Sequence, residues 1–281
     1  MNKFKIAALF SGCGGLDLGF SQAGYKIIWA NEFDKSIWET YEYNHPNVKL
    51  EKRSIIDIPS DEIPETDGVI GGPPCQSWSL AGAMRGDSDP RGQLFYEYIR
   101  ILKDKKPLFF LAENVSGIIS RTHLPTFEKL LIEFEKIGYN LNYKMLDAKD
   151  YGVAQERKRV FIIGYLKKMG MTFTFPETTH KTTSSVQKEL FNEESSQQKP
   201  ITLRDSIGDL PEPLPALTNN KTNGDALEIY NHEYMTGAFS TIYMSRNRVR
   251  SWGEQSYTIQ AGGRHAPLHP QAKKMIFVEK D

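Results

Sequence analysis

Residues 5–15 read KIAALFSGCGG, an apolar run of strand length that ends in a glycine-rich loop. The residues after the loop have the apolar spacing of a helix, so this segment predicts a strand, a tight turn and a helix. From residue 4 to about 165, apolar runs continue to alternate with amphipathic stretches of helix length. The alternation predicts an α/β fold in which an open, mostly parallel sheet has helices on both faces. The seven predicted strands are 5–10, 27–31, 49–53, 68–71, 108–112, 142–146 and 160–164, and the predicted helices are 16–23, 35–44, 92–103 and 125–136.

The composition limits the class of protein. The 281 residues include 35 lysines and arginines and 35 aspartates and glutamates, so the net charge is zero. A nucleic-acid surface must therefore come from local clusters of basic residues. The two cysteines, Cys13 and Cys75, form no disulfide framework and no zinc-ligand spacing, so we expect no metal and a reducing cytoplasm. The sequence has no recognisable signal peptide and no apolar run of membrane length, so we expect no membrane partner.

Two domains are expected. Residues 178–200 are rich in Ser, Thr, Gln and Glu and have little periodicity, which is typical of a linker. We therefore predict a first domain at 1–176, a linker or surface loop at 177–200 and a second domain at 201–281. The second domain has Pro-rich turns and short β-like runs, so it should be small, irregular and mostly β.

The glycine loop predicts a nucleoside pocket. Asp17 stands where a dinucleotide fingerprint needs its third glycine, which disfavours a nicotinamide oxidoreductase. Glu32 follows the second predicted strand, twenty positions after Gly12, where a carboxylate can bind a ribose diol. Asp57 follows the third strand and is placed to contact an adenine amino group. Either acid alone would more often be a solvated residue at the end of a strand. No Lys or Arg accompanies the glycines, so the predicted pocket has no basic group that binds a phosphate. S-adenosylmethionine therefore fits this pocket better than NAD.

A second loop presents a thiol. Residues 71–79, GGPPCQSWS, follow the predicted strand 68–71, and the two prolines remove backbone donors and keep the chain extended. Cys75 is therefore presented rather than buried, although a Pro-rich loop with an incidental thiol is the simpler reading of these residues alone. Residues 113–115, ENV, come at the carboxyl end of the strand 108–112, next to this loop. Residues 155–159, QERKR, would by themselves be a solvated basic turn.

The four segments FSGCGG, GGPPCQSWS, ENV and QERKR, in this order and spacing, resemble the DNA cytosine-C5 methyltransferase family over residues 5–165. The resemblance implies a Rossmann-like methyltransferase fold, a catalytic first domain and a target-recognition second domain. It implies the catalytic residues Cys75, Glu113, Arg157 and Arg159. The residues that it assigns to S-adenosylmethionine are Phe10, Ser11, Gly12, Gly14, Gly15, Glu32, Asp57, Ile58, Pro74 and Leu94. In the segment after Cys75, which is similar to a mobile DNA-closing loop, Ser79, Arg85 and Arg91 are candidate DNA contacts or plain loop residues.

The reaction explains why these residue types are needed. Cytosine C5 is a poor nucleophile, so a thiolate such as Cys75 must first add to C6. The nearby Arg159 favours the ionised thiol and can hold the cytosine O2, while Glu113 shares a proton with the ring nitrogen N3. We expect Asn114 to support the loop. The target cytosine must be flipped out of the duplex before any of these groups can reach it.

Residues 242–274 provide the basic cluster, with six Lys and Arg residues against Glu254. The stretch is similar to the recognition region of GGCC-specific methyltransferases of restriction-modification systems. By that similarity Arg246, Arg248 and Arg264 read bases and Ile242 is a wedge beside the flipped base, although phosphate contact is the simpler role of any one arginine. Double-stranded DNA, with GGCC as its target, is the expected partner.

The family usually continues with segments of the form RxLTxRExARLQGFP and GNAVP, which this sequence lacks before its last residue, Asp281. We therefore expect either a truncated enzyme or a second polypeptide that supplies the missing part. The alternative from another class is a non-catalytic or partner-dependent DNA-binding subunit. An RNA methyltransferase of the same family also stays open.

Overall fold

The computed structural model describes residues 3–74, 93–180, 198–215, 233–234, 249–259 and 270. The chain divides into two compact units. The first unit comprises Met1–Leu146 and Arg159–Pro176, and the second comprises Asp147–Lys158 and Glu177–Asp281. No helix in the described ranges is long and apolar enough to cross a membrane.

A seven-stranded sheet organises the first unit, in the order β3-β2-β1-β4-β5-β7-β6. The pairs β1–β2, β1–β4, β2–β3 and β4–β5 are parallel, whereas β5 and β7 are antiparallel. The predicted α/β class and mostly parallel sheet are therefore confirmed. The strands are β1 Lys5–Leu9, β2 Lys26–Asn31, β3 Lys49–Glu51, β4 Gly68–Gly71, β5 Phe109–Val115, β6 Tyr139–Asp147 and β7 Lys158–Leu166.

The central strand β1 is buried on both faces. Ala7 and Leu9 belong to one hydrophobic cluster, whereas Ile6 and Ala8 belong to another. Because successive side chains of a strand point to opposite faces, this alternation places a core on each side of the sheet. The helices are α1 Gly15–Gln22, α2 Trp38–Asn44, α3 Gln93–Lys105 and α4 Leu124–Lys136.

Helix α4 buries one apolar face against the sheet. Phe127, Leu130 and Phe134 recur at intervals of three and four, and all three are buried. Pro125 lies in the first turn, where its missing N–H costs no hydrogen bond. The ring of Phe134 stacks on Phe110 of β5 with centroids 4.6 Å apart, which fixes the helix on the sheet.

The fifth strand corrects one expectation. The sequence predicted that it would end at residue 112 and that Glu113, Asn114 and Val115 would follow it, but β5 continues to Val115. The reason is the antiparallel neighbour β7, which pairs Glu113 with Phe161 and Val115 with Arg159. Glu113 and Asn114 are therefore held in a strand and not in a loop.

The second unit contains a segment that the sequence had assigned to the first domain. Residues 147–158 belong to it because the Ser256 N–H donates to the Ala154 carbonyl and the Glu156 N–H donates to the Ser256 carbonyl, each at 2.9 Å. Arg250 Nη2 also lies 2.7 Å from Glu156 Oε2. The described residues of this unit include the elements α5 Leu203–Ile207, β8 Leu214–Pro215 and β9 Glu233–Tyr234.

Candidate functional site

The glycine loop between β1 and α1 has an unusual backbone. Phe10, Gly12 and Gly14 all have positive φ, at 54°, 55° and 81°. A positive φ is uncommon for a residue with a side chain such as Phe10, so the loop is held by its surroundings. The Gly14 N–H donates to the Ser11 carbonyl at 2.9 Å, which closes a tight turn directly before Gly15 begins α1.

Glu32 is joined to this loop, as its spacing from Gly12 had suggested. The Gly12 N–H donates to Glu32 Oε2 and the Asp34 N–H donates to Oε1, both at 2.8 Å. The carboxylate is half-buried at the end of β2. Because each carboxylate oxygen has two lone pairs, the orientation is fixed while acceptor sites remain for a diol.

Phe33 was missed by the sequence analysis. Its side chain directly follows Glu32 and is 69% exposed. A large exposed aromatic ring beside a fixed carboxylate provides an apolar surface on which a flat base can stack. Its position next to the ribose-binding candidate was the signal in the sequence.

The segment after β3 carries Asp57 and Ile58. Asp57 is exposed at the end of a short 3-10 turn, Ile55–Asp57. The side chain of Ile58 is only 1% exposed and belongs to the core, so a ligand can meet this residue only through its backbone. Pro74 is exposed, whereas Leu94 is half-buried against the core.

The catalytic candidates Glu113 and Arg159 are brought together. Arg159 Nε lies 2.8 Å from Glu113 Oε1, and the two side chains are 16% and 25% exposed respectively. A Cβ placed on Gly72 would lie 3.3 Å from Glu113 Oε2, so the start of the GGPPC loop runs beside this carboxylate. The pair therefore lies at the point where the thiol-bearing loop leaves the sheet.

Asn114 anchors the same loop. Its Nδ2 donates to the Pro73 carbonyl at 2.9 Å, and its Oδ1 accepts the Val115 N–H at 2.9 Å. The side chain is 5% exposed, and its bond to the Pro73 carbonyl is buried. Cys75 comes two residues after Pro73 and lies outside the described residues, as do Ser79, Arg85, Arg91, Ile242, Arg246, Arg248 and Arg264.

The comparisons with known proteins agree with this geometry. The family model described as C-5 cytosine-specific DNA methylase matches residues 4–281. The chain belongs to this family. It is 58% identical to the Type II methyltransferase M.MthTI of Methanothermobacter thermautotrophicus, over 98% of the chain and 78% of that protein. It is 52% identical to the Type II methyltransferase M.FnuDI of Fusobacterium nucleatum, over 99% of the chain and 76% of that protein.

The fold is also similar to that of a solved structure. A DNA modification methyltransferase encoded within an E. coli prophage matches with a TM-score of 0.63 and 22% identity, over 95% of this chain and 85% of that one. The cofactor of the present chain is S-adenosylmethionine. The described residues fit it, because the loop of Gly12 and Gly14 permits close approach and Glu32 is oriented for a diol.

Arg157 and Arg250 both have identified partners within the second unit. Arg157 is in the second unit, where its N–H donates to Asp147 Oδ1 at 2.9 Å, so the structure does not assign it to the same unit as Arg159. Arg250, counted in the basic stretch, is paired with Glu156 at 2.7 Å and with Glu254 at 3.1 Å. Arg250 therefore contributes ion pairs within the second unit.

Proposed function

We propose that the chain transfers a methyl group from S-adenosylmethionine to C5 of a flipped cytosine in double-stranded DNA. The observation that carries the proposal is the Glu113–Arg159 pair beside Gly72, at the start of the loop that leads to Cys75. The Asn114 bond to Pro73 supports it, because it holds this loop to the strand that carries Glu113.

In the proposed reaction the Cys75 thiolate adds to C6 of the cytosine. Glu113 shares a proton with N3, which relieves the negative charge that the addition places on the ring. C5 then takes the methyl group from the sulfonium, and S-adenosylhomocysteine is left. Loss of the C5 proton to a base expels the Cys75 thiolate and restores the aromatic ring.

Arg159 keeps Glu113 in the orientation that this proton transfer needs. The charge-assisted bond of 2.8 Å holds Oε1, while Oε2 lies on the side of Gly72. Arg157 belongs to the proposed catalytic group through the family resemblance, and its carbonyl is held by the Ala148 N–H at 3.0 Å.

The proposed target is GGCC, in a Type II restriction-modification system acting in the cytoplasm of a prokaryotic cell. Support comes from the similarity of residues 242–274 to GGCC recognition regions and from the names of the two relatives, both Type II methyltransferases. Arg246, Arg248 and Arg264 are the proposed base readers, because arginine can bind guanine O6 and N7 together. Ile242 is the proposed wedge.

The two relatives are longer than the matched region, which covers 78% and 76% of them. We propose that methyl transfer needs the part of the fold that the remaining length provides, either in the same chain or as a second polypeptide. The competing function is that of a non-catalytic DNA-binding subunit, and the assay below separates the two.

The test uses S-adenosylmethionine labelled in its methyl group, DNA duplexes that contain or lack GGCC, and RNA. The chain is assayed alone and with a polypeptide that corresponds to the remaining part of the relatives. We expect label on GGCC duplexes only, and more of it with the added polypeptide. DNA binding without label in either mixture would establish the non-catalytic function, and label on RNA alone would change the substrate class.

Three experiments examine the covalent step. Cys75→Ala should abolish labelling, and retained labelling excludes Cys75 as the nucleophile. A duplex with 5-fluorocytosine in the site should trap a covalent adduct, because fluorine cannot leave C5 as a proton. Arg159→Met is expected to slow formation of that adduct.

A further inference from the structure

A buried polar network lies directly behind the glycine loop. Asp17 on α1 is 1% exposed, and its Oδ2 accepts a hydrogen bond of 2.6 Å from the Tyr41 hydroxyl on α2. The Tyr41 ring stacks on His45, with centroids 4.7 Å apart. His45 Nε2 lies 3.1 Å from the Gly14 carbonyl. Because a carbonyl only accepts, Nε2 carries the hydrogen in this contact.

The network determines how the glycine loop is shaped. Gly14 has a φ of 81°, and a Cβ at this position would overlap the His45 ring. The His45 ring is in turn located by its stack on Tyr41, and Tyr41 is located by Asp17. The left-handed turn of the loop is therefore packed against a side-chain arrangement with little freedom.

Burial gives the network a strong preference for one arrangement. Burial raises the pKa of Asp17, while the Tyr41 hydrogen bond and the charge of His45 act in the opposite direction. A buried carboxyl that loses its partner keeps the cost of leaving water, so Asp17 and Tyr41 stabilise one another's positions.

Helix α2 also reaches the other half of the cofactor site. Trp38, its first residue, donates from Nε1 to the Glu32 carbonyl at 2.8 Å. One short helix thus holds the backbone of the ribose-binding candidate at its start and Gly14 at its end, through His45. A shift of α2 would move both parts of the site together.

We propose that Asp17 and Tyr41 are positioning residues for S-adenosylmethionine, acting through His45 and α2 on the backbone of Gly14 and Glu32. The inference rests on the proposed assignment of the glycine loop and Glu32 to the cofactor. It gives a role to Asp17, whose presence in the sequence otherwise only excluded a dinucleotide fingerprint. Neither residue contacts the cofactor in this proposal.

The test compares two buried tyrosines that each lose only a hydroxyl. Tyr41→Phe removes the donor to Asp17, whereas Tyr139→Phe removes a donor to the Pro107 carbonyl at 2.9 Å, far along the chain from the loop. We expect Tyr41→Phe to weaken S-adenosylmethionine binding about tenfold, because a loop and a helix that are less well held must be ordered when the cofactor binds. Tyr139→Phe should bind it as the unchanged protein does. Isothermal titration calorimetry measures both.

A second pair of variants tests Asp17 itself. Asp17→Asn keeps an oxygen that can accept from Tyr41, so it should weaken cofactor binding less than Asp17→Leu does. If methylation is observed, the KM for S-adenosylmethionine should rise while kcat at saturation is retained. If Tyr41→Phe does not fold, this pair of variants still tests whether Asp17 positions the cofactor site.

Three outcomes contradict the inference or its basis. If the unchanged protein does not bind S-adenosylmethionine, with or without the added polypeptide, the cofactor assignment fails. If it binds and Tyr41→Phe binds equally well, the positioning role is excluded. If Tyr41→Phe and Tyr139→Phe weaken binding to the same extent, the network contributes only general stability.

Discussion

Arg159 Nε lies 2.8 Å from Glu113 Oε1, and the two side chains meet diagonally across the antiparallel pair of β5 and β7. Arg159 stands opposite Val115, two residues beyond Glu113 and on the same face of the sheet. The pair is thus built by strand register, which makes the orientation of the Glu113 carboxylate a property of the fold.

We predict that Glu113→Gln lowers the single-turnover rate of DNA methylation by about 10²–10⁴-fold, the usual contribution of a positioned acid or base. The amide keeps the shape of the side chain but does not share a proton as a carboxyl does. S-adenosylmethionine affinity should not change. The matched control is Glu133→Gln, because Glu133 pairs with Lys136 on the exposed surface of α4 at 2.7 Å. Methylation by Glu113→Gln at the unchanged rate excludes this role.

Asn114→Asp is predicted to slow adduct formation on 5-fluorocytosine duplexes. The substitution removes the Nδ2 donor to the Pro73 carbonyl while an oxygen remains for the Val115 N–H. Loss of a buried hydrogen bond costs about 1–3 kcal/mol, and the loop that leads to Cys75 loses its anchor. Adduct formation is followed by denaturing electrophoresis. Asn142→Asp, which removes an exposed bond to the Phe173 carbonyl, is the control that should leave the rate unchanged.

Periodicity and loop composition were enough to predict the α/β class and the seven strands of the first unit, because the strands at the centre of the sheet, such as β1 and β4, are short apolar runs that are buried. The end of β5 was not predictable in this way. Its last residues, Glu113 and Asn114, are polar, and they are held in the strand by pairing with β7, about fifty positions away. Long-range pairing leaves no local signal in a sequence.

Site residues were predictable where their role depends on spacing along the chain. They were not predictable where their role depends on burial of the side chain or on a partner distant in sequence. Glu32 was found from its distance to Gly12 along the chain, and the two are hydrogen-bonded. The sequence could not show that Ile58 points into the core, that Asp17 is buried, or that Arg250 is paired with Glu156. Each of these depends on a partner that only the tertiary structure supplies.

Arg100 on α3 holds the segment that carries Asp57. Its Nη2 donates to the carbonyls of Ile55 and Ile58, at 3.2 and 3.0 Å, and its Nη1 donates to the Ser60 hydroxyl. A planar guanidinium can make these bonds at once, whereas a lysine ammonium on a flexible stem does not match their geometry.

Arg100→Lys is therefore predicted to lower the free energy of unfolding by about 1–3 kcal/mol and to weaken S-adenosylmethionine binding several-fold. Urea denaturation and calorimetry provide the two values. Lys136→Met is the control, because Lys136 forms an ion pair with Glu133 on the exposed surface of α4, and such a pair contributes little. Equal effects of the two substitutions would show that the Arg100 contacts with this segment contribute no more to stability or to cofactor binding than a surface ion pair does.

The burial of Asp17 predicts a pH dependence of stability with a definite sign. Burial raises the pKa of Asp17 in the folded protein above its ordinary value of 3.8, against the opposing effects of Tyr41 and His45. Between these two pKa values the folded state binds more protons than the unfolded state, so stability falls as the pH rises through that window. Asp17→Asn does not titrate. The difference in unfolding free energy, unchanged protein minus Asp17→Asn, should therefore decrease as the pH rises from 3.8 and become constant above the folded pKa. Urea denaturation of both proteins between about pH 4 and pH 8 measures it, and a difference that increases with pH contradicts a raised pKa.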